Sequence, residues 1–154
     1  MSKVVILQAR DSEVIHGVAN FNALEGNAVI IDPTNVLNLA LATGTRGFVL
    51  QRDVVDAISL EESVFGLNLK APTKKGTEAT ARRVTLLEVE GAERLSPSGT
   101  GAITADTAAH TALEWNAGAL RVAQVGSEVA GYLRAQLTPL YPEAGTARIL
   151  VELL

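Results

Sequence analysis

Along most of the chain, apolar residues recur at every second position or in short runs broken by Gly, Pro, Asn and Asp, the pattern of β-strands joined by turns. "KVVILQAR" (3–10) puts Val4 and Ile6 on one face and Val5 and Leu7 on the other. With both faces apolar, it reads either as a strand buried on both sides or as an extended arm covered by another chain. "NAVIID" is a second strand, stopped by Pro33, and "VLNLALATGTRGFVLQRD" (36–53) gives strand, Gly44-Thr45 turn, strand. In "TEATARRVTLLEVEGAERL" (77–95), Val84, Leu86 and Glu88 alternate with Thr85, Leu87 and Val89. Good helix formers compete there, but the Thr and Val content favours strand.

Leu113 and Trp115 lead into "NAG", where Gly118 supplies a positive φ. The stretch 116–137 reads as two strands around a tight turn. In its second strand Val129, Gly131, Leu133, Ala135 and Leu137 share one face, and Ala130, Tyr132, Arg134 and Gln136 the other. In the closing "ARILVELL", Ala147, Ile149, Val151 and Leu153 oppose Arg148, Leu150, Glu152 and Leu154.

Three stretches read differently. Residues 53–69 fit a short helix capped by Asp53, with Val54, Val55 and Ile58 on one side, or an irregular crossover. "KAPTKKG" (70–76) is a loop, and 96–112 is a small-residue loop that tethers without packing much. About nine or ten short strands and at most one short helix predict a mainly β chain, a small antiparallel β-sandwich or barrel-like domain with long loops. The expected organisation is an N-terminal strand or extended arm (1–15) and a single β-rich domain (16–154), with 53–75 as crossover or short helix. An internal echo is present: Gly44-Thr45 then Gly47-Phe48-Val49, and Gly126-Ser127 then Gly131-Tyr132-Leu133, two residues out of register. Duplication and convergence on the same turn chemistry both produce such an echo.

Composition narrows the chemistry. The chain has 154 residues, 47% of them apolar and only 4% aromatic, so the core is built from Val, Leu, Ile and Ala. A globule of this size buries roughly 70% of its unfolded surface and needs no staples. The absence of cysteine removes disulfides, thiolate nucleophiles and Cys-ligated metal. Lys3 and Arg10 leave too short an apolar run for a signal peptide, and nothing approaches the roughly 20 apolar residues of a membrane span. A soluble chain with no membrane partner is expected. The net charge of −4 argues against direct nucleic-acid binding, since Lys74-Lys75 and Arg82-Arg83 are isolated basic pairs.

Reactive constellations are not evident. His16 and His110 are far apart and form no metal-ligand motif. "SGTGAIT" (98–104) lacks the Lys-Ser/Thr ending of a phosphate loop. "ESVFG" and "PSGTG" do not match a nucleophile elbow, and the adjacent Glu61-Glu62 diverge on strand or helix. No catalytic residue, cofactor site or metal site is assigned. The investment is in framework, which suits a binding or structural module.

The order "TGTRGFVLQRDV", "KKGTEATARRVTLLEVEGAERL", "SGTGAIT", "NAGALRVAQVGSEVAGYLRAQLTP", "ARILVELL" resembles the head decoration (capsid cement) proteins of tailed bacteriophages. The likeness covers roughly residues 36 to 154 and lies in Gly-spaced hairpins and the closing strand. No residue role carries over position by position. The resemblance implies a small β-rich, non-enzymatic protein that binds the outside of a mature phage capsid and stabilises the shell. Its implied partners are the major capsid protein and further copies of itself, as a homotrimer. The implied location is the capsid outer surface of the virion, after synthesis in the host cytoplasm.

On that reading the contact candidates are Val4, Val5, Ile6 and Leu7, which can add a strand to an exposed edge, together with Trp115 and Tyr132 as interface anchors. The 96–112 loop is a further candidate. An alternative is a small-molecule or carbohydrate-binding β module, with Trp115, Tyr132 and Tyr141 lining a platform. A third is an enzyme pairing His16 or His110 with a carboxylate, for which separate, open loops would leave no basis.

Overall fold

The structure, a computed structural model, describes residues 3–22, 24, 26–51, 75–91, 94–96, 99–140 and 147–154. The 53–69 segment and Tyr141 lie outside them. Among the described residues the chain is all β, with nine strands and no helix, as the alternation predicts. They are β1 (Lys3–Ala19), β2 (Ala28–Ile31), β3 (Asn38–Leu41), β4 (Phe48–Gln51), β5 (Glu78–Glu90), β6 (Ala112–Asn116), β7 (Ala119–Val122), β8 (Gly131–Leu137) and β9 (Arg148–Leu153).

Five strands close into a barrel in the order β1-β3-β2-β4-β5 and back to β1. All these pairings are antiparallel except β1–β3, where Val18 lies opposite Asn38 and Ala19 opposite Leu39. The N-terminal half of β5 belongs to this barrel. Its C-terminal half starts a second ring, through β9, β8, β6 and β7. A single parallel bridge between Leu95, just downstream of β5, and Leu120 of β7 completes it.

The two rings repeat one plan. Mapping β1 to the C-terminal half of β5, and β2, β3, β4 and β5 to β6, β7, β8 and β9, reproduces the ladders. Val29 faces Leu41 and Phe48 as Leu113 faces Val122 and Gly131. Leu50 faces Ala81 as Leu133 faces Val151, and Ile15 faces Ala81 as Leu87 faces Val151. The irregular backbone repeats too. Gly26 N–H donates to Leu50 C=O at 2.9 Å, and His110 N–H to Leu133 C=O at 2.7 Å. Leu50 N–H donates to Asn27 C=O as Leu133 N–H donates to Thr111 C=O, and Ala42 N–H to Ala28 C=O as Ala123 N–H to Ala112 C=O. Gly26 and His110 both have positive φ, 89° and 69°. His110 is thus held left-handed by a bond that its counterpart makes with a glycine, the residue better suited to that conformation.

The cores follow the same mapping. Val29, Leu39, Leu50 and Ala81 form one buried cluster. Their counterparts Leu113, Leu120, Leu133 and Val151 are buried in the other, with Leu87, Leu95, Ile103 and Ile149. The sequence echo is therefore a real repeat of the fold, but its register is corrected by one residue: the ladders place Phe48, not Gly47, in the position of Gly131.

Two other expectations change. The stretch 116–137 is not a hairpin of adjacent strands, because β6 lies between β7 and β8. The hairpin is β6–β7, closed by Ala117 and Gly118, both at positive φ, the turn whose twist suits a two-residue connection. The 96–112 loop does pack: Ile103 is fully buried in the second core, and its N–H donates to Ser96 C=O at 2.7 Å.

Gly131 is fixed by close approach. A Cβ there would lie 2.3 Å from the Glu152 carbonyl oxygen, so any side chain must push β8 from β9. Gly131→Ala is expected to cost roughly 2 kcal/mol or more and to lower Tm by about 4–8 °C, measured by thermal circular dichroism.

Candidate interaction surface

β1 pairs with β5 from Lys3 opposite Glu90 to Val18 opposite Glu78. Val4, Val5 and Ile6 are half-buried, and Val4 and Ile6 pack against the second core. Leu7 is different. Ile6 lies opposite Leu87 and Gln8 opposite Leu86, so Leu7 is the extra residue of a β-bulge and is exposed. The other edge of residues 4–10 meets no strand among the described residues.

Trp115 must be reassigned. It is 2% exposed, lies opposite Leu120 and belongs to the second core, so its ring offers no face to a partner or a sugar. Closure of the ring covers it, a non-local event that alternation along β6 does not reveal. Tyr132 stands outward on β8 between Ala112 and Glu152 and is exposed. Near it, a shallow groove of about 450 Å³ runs between Gln8 and Arg10 on one side and Arg134 and Glu152 on the other. Its charges are matched: Arg134 bonds Glu152 at 2.5 Å, and Arg10 lies 3.7 Å from Glu13.

The histidines stand apart. His16 on β1 places Nδ1 3.0 Å from Thr80 Oγ1, and His110 is exposed in the turn before β6. Among the described residues no group of three or more His, Asp or Glu could hold a metal ion.

The most distinctive surface feature is one that the strand pattern hid. The connection between β2 and β3 is a locked tip. Asp32 Oδ1 accepts from Thr34 N–H at 2.8 Å and from Thr34 Oγ1 at 2.7 Å, and Asn35 Oδ1 accepts from Leu37 N–H at 3.1 Å. The hydroxyl and amide of Thr34 hold the Asp32 carboxyl below the usual carboxylate range. Asn38 N–H donates to Asn35 C=O, and Val18 N–H to Leu37 C=O. The locked backbone leaves Val36 73% and Leu37 71% exposed, with Ile31 exposed beside them. "VLNLAL" reads as the start of a strand. The turn chemistry of Asp-Pro-Thr-Asn just before it is the signal that sets these two side chains outside.

A second anchored loop joins β7 to β8. Glu114 is 1% exposed and takes a 2.6 Å bond from Arg121. Burial pushes its carboxyl up, but bonds from the Ser127 hydroxyl, Arg121 and the Gln124 backbone outweigh that and hold its pKa below 4.5. Between Gln124 and Ser127 stands Val125, fully exposed. Arg46, on the equivalent loop of the first ring, lies 3.3 Å from Glu128 and ties the two loops together. Against known proteins the chain finds no match: no family model, no curated sequence and no solved structure.

A depressed carboxyl pKa adds stability that is complete above the unfolded value, near 4.5, and is lost as pH falls through the folded value. Glu114→Gln should therefore lower stability at pH 7 by about 1–2 kcal/mol, and the gap to the wild type should narrow below about pH 4.5. Urea denaturation at stepped pH measures both.

Proposed function

We propose that this protein is a non-enzymatic structural component that binds the outside of a phage capsid, contacts the major capsid protein, stabilises the mature shell and self-associates, as a homotrimer in the family it resembles. The observation that carries the reading is the locked β2–β3 tip, which holds two adjacent aliphatic side chains in water at more than 70% exposure. Folding gains nothing from that placement. A partner surface gains an apolar anchor whose backbone is already ordered, so little further entropy is lost on binding. Two fused rings give the anchor a stiff mount, and repetition over many shell positions multiplies modest contacts.

The purified protein, mixed with undecorated, expanded phage heads, is expected to bind saturably and to appear as added density on the outer surface in electron micrographs. Absence of saturable binding overturns the reading.

A further inference from the structure

The second ring docks on the first through its β6–β7 turn. Ala28 N–H donates to Gly118 C=O at 2.9 Å and Gly118 N–H to Ala42 C=O at 3.0 Å. Gly44 N–H reaches Trp115 C=O at 3.0 Å, and Ala117 N–H reaches Thr43 Oγ1 at 2.8 Å. The turn covers the seat completely: Ala28 and Ala42 are both 0% exposed, and a Cβ on Gly118 would lie 2.7 Å from Leu41 Cδ2.

The repeat carries this seat to Ala112 and Ala123, which share the same Ala–Ala hydrogen bond at the same 2.9 Å. There both alanines are only half-buried. Val125, fully exposed, follows Ala123 by two residues, and the exposed Tyr132 lies opposite Ala112. The repeat likewise carries the docking turn to the β2–β3 tip, which lies in water; Val36 and Leu37 stand there in place of Ala117 and Gly118, so the tip presents side chains where the docked turn makes a close backbone approach.

The relation between rings is open-ended. It takes β1 to β5 and β5 to β9, so it leads onward and does not return. Among the described residues one chain therefore holds one filled seat, one open seat and one undocked tip, and the last two are both apolar. We infer that copies of this chain associate head to tail, with the Val36–Leu37 tip of one copy seated on the Ala112, Ala123, Val125 and Tyr132 surface of the next. Contacts of this heterologous kind build a closed ring when the rotation between neighbours closes. The inference rests on the self-association in the functional reading and names its surfaces.

Two variants test it by light scattering: a tip variant, Val36→Asp with Leu37→Asp, and a seat variant, Val125→Asp. All three side chains point into solvent, so unchanged unfolding midpoints are expected. Each variant alone should show the mass of one chain at concentrations where the wild type is oligomeric. Mixed together, they should form a two-chain complex and nothing larger, because the mixture holds one sound tip and one sound seat per pair. Wild-type mass in either variant, or a mixture that stays single-chain, overturns the head-to-tail surfaces while leaving self-association standing. A wild type that is single-chain at every soluble concentration overturns self-association itself.

Discussion

A strand has two edges, and along β5 both are in use: one is bonded to β1 over the whole strand, the other first to β4 and then to β9. Every ring closure passes through those bonds. The cost of leaving backbone N–H and C=O groups unpaired in an apolar interior is what makes such closure stringent. It also makes the rings inseparable, since neither keeps its fifth wall without β5. Side chains of β5 serve both cores accordingly, Ala81 in the first and Val84, Leu87 and Val89 in the second.

Alternation along the chain was enough to read the strands but not every face they bury: Val84 and Leu87, on opposite faces by their spacing, both lie in the second core, and Ala130, grouped with the outward Tyr132, is buried there too. In β9, Ile149, Val151 and Leu153 point inward as their spacing indicates, and β5 is the strand its Thr and Val content favours. Neighbour order was not legible, because β6 enters between β7 and β8 through contacts that no local window contains. The same limit applies to Trp115: its apolar face was clear, but the covering wall comes from elsewhere in the sequence. The repeat was half visible. Its turn glycines marked the right places but fall one residue out of the register the ladders set, and the inward positions share burial more than identity, as with Ala81 and Val151 or Val29 and Leu113. Of the candidate contacts, Leu7 and Tyr132 reach the surface, whereas Val36, Leu37 and Val125 were masked by reading apolar residues as strand interior.

Exposed aliphatics become informative when the backbone beneath them is fixed. Burying a Val or Leu side chain contributes roughly 1.5–3 kcal/mol, and a tip already ordered by Asp32 and Asn35 gives little of that back on binding. The Glu114 cluster does the same for the loop bearing Val125, with a buried carboxylate whose bonds reach Arg121, Ser127 and Gln124. In both places polar groups set the backbone, and the apolar groups they present are the ones proposed for contact.

The pairing of β1 with β5 also fixes an order of events in time. Lys3 finds its partner at Glu90 and Val18 at Glu78, so during synthesis β1 leaves the ribosome well before its β5 partner. Such distant pairings place the chain among the topologies that fold in milliseconds to seconds. Throughout that interval "KVVIL" is an apolar, strand-forming segment open to any passing edge. The charged residues that follow it, Arg10 and Glu13, then act as gatekeepers for the nascent chain.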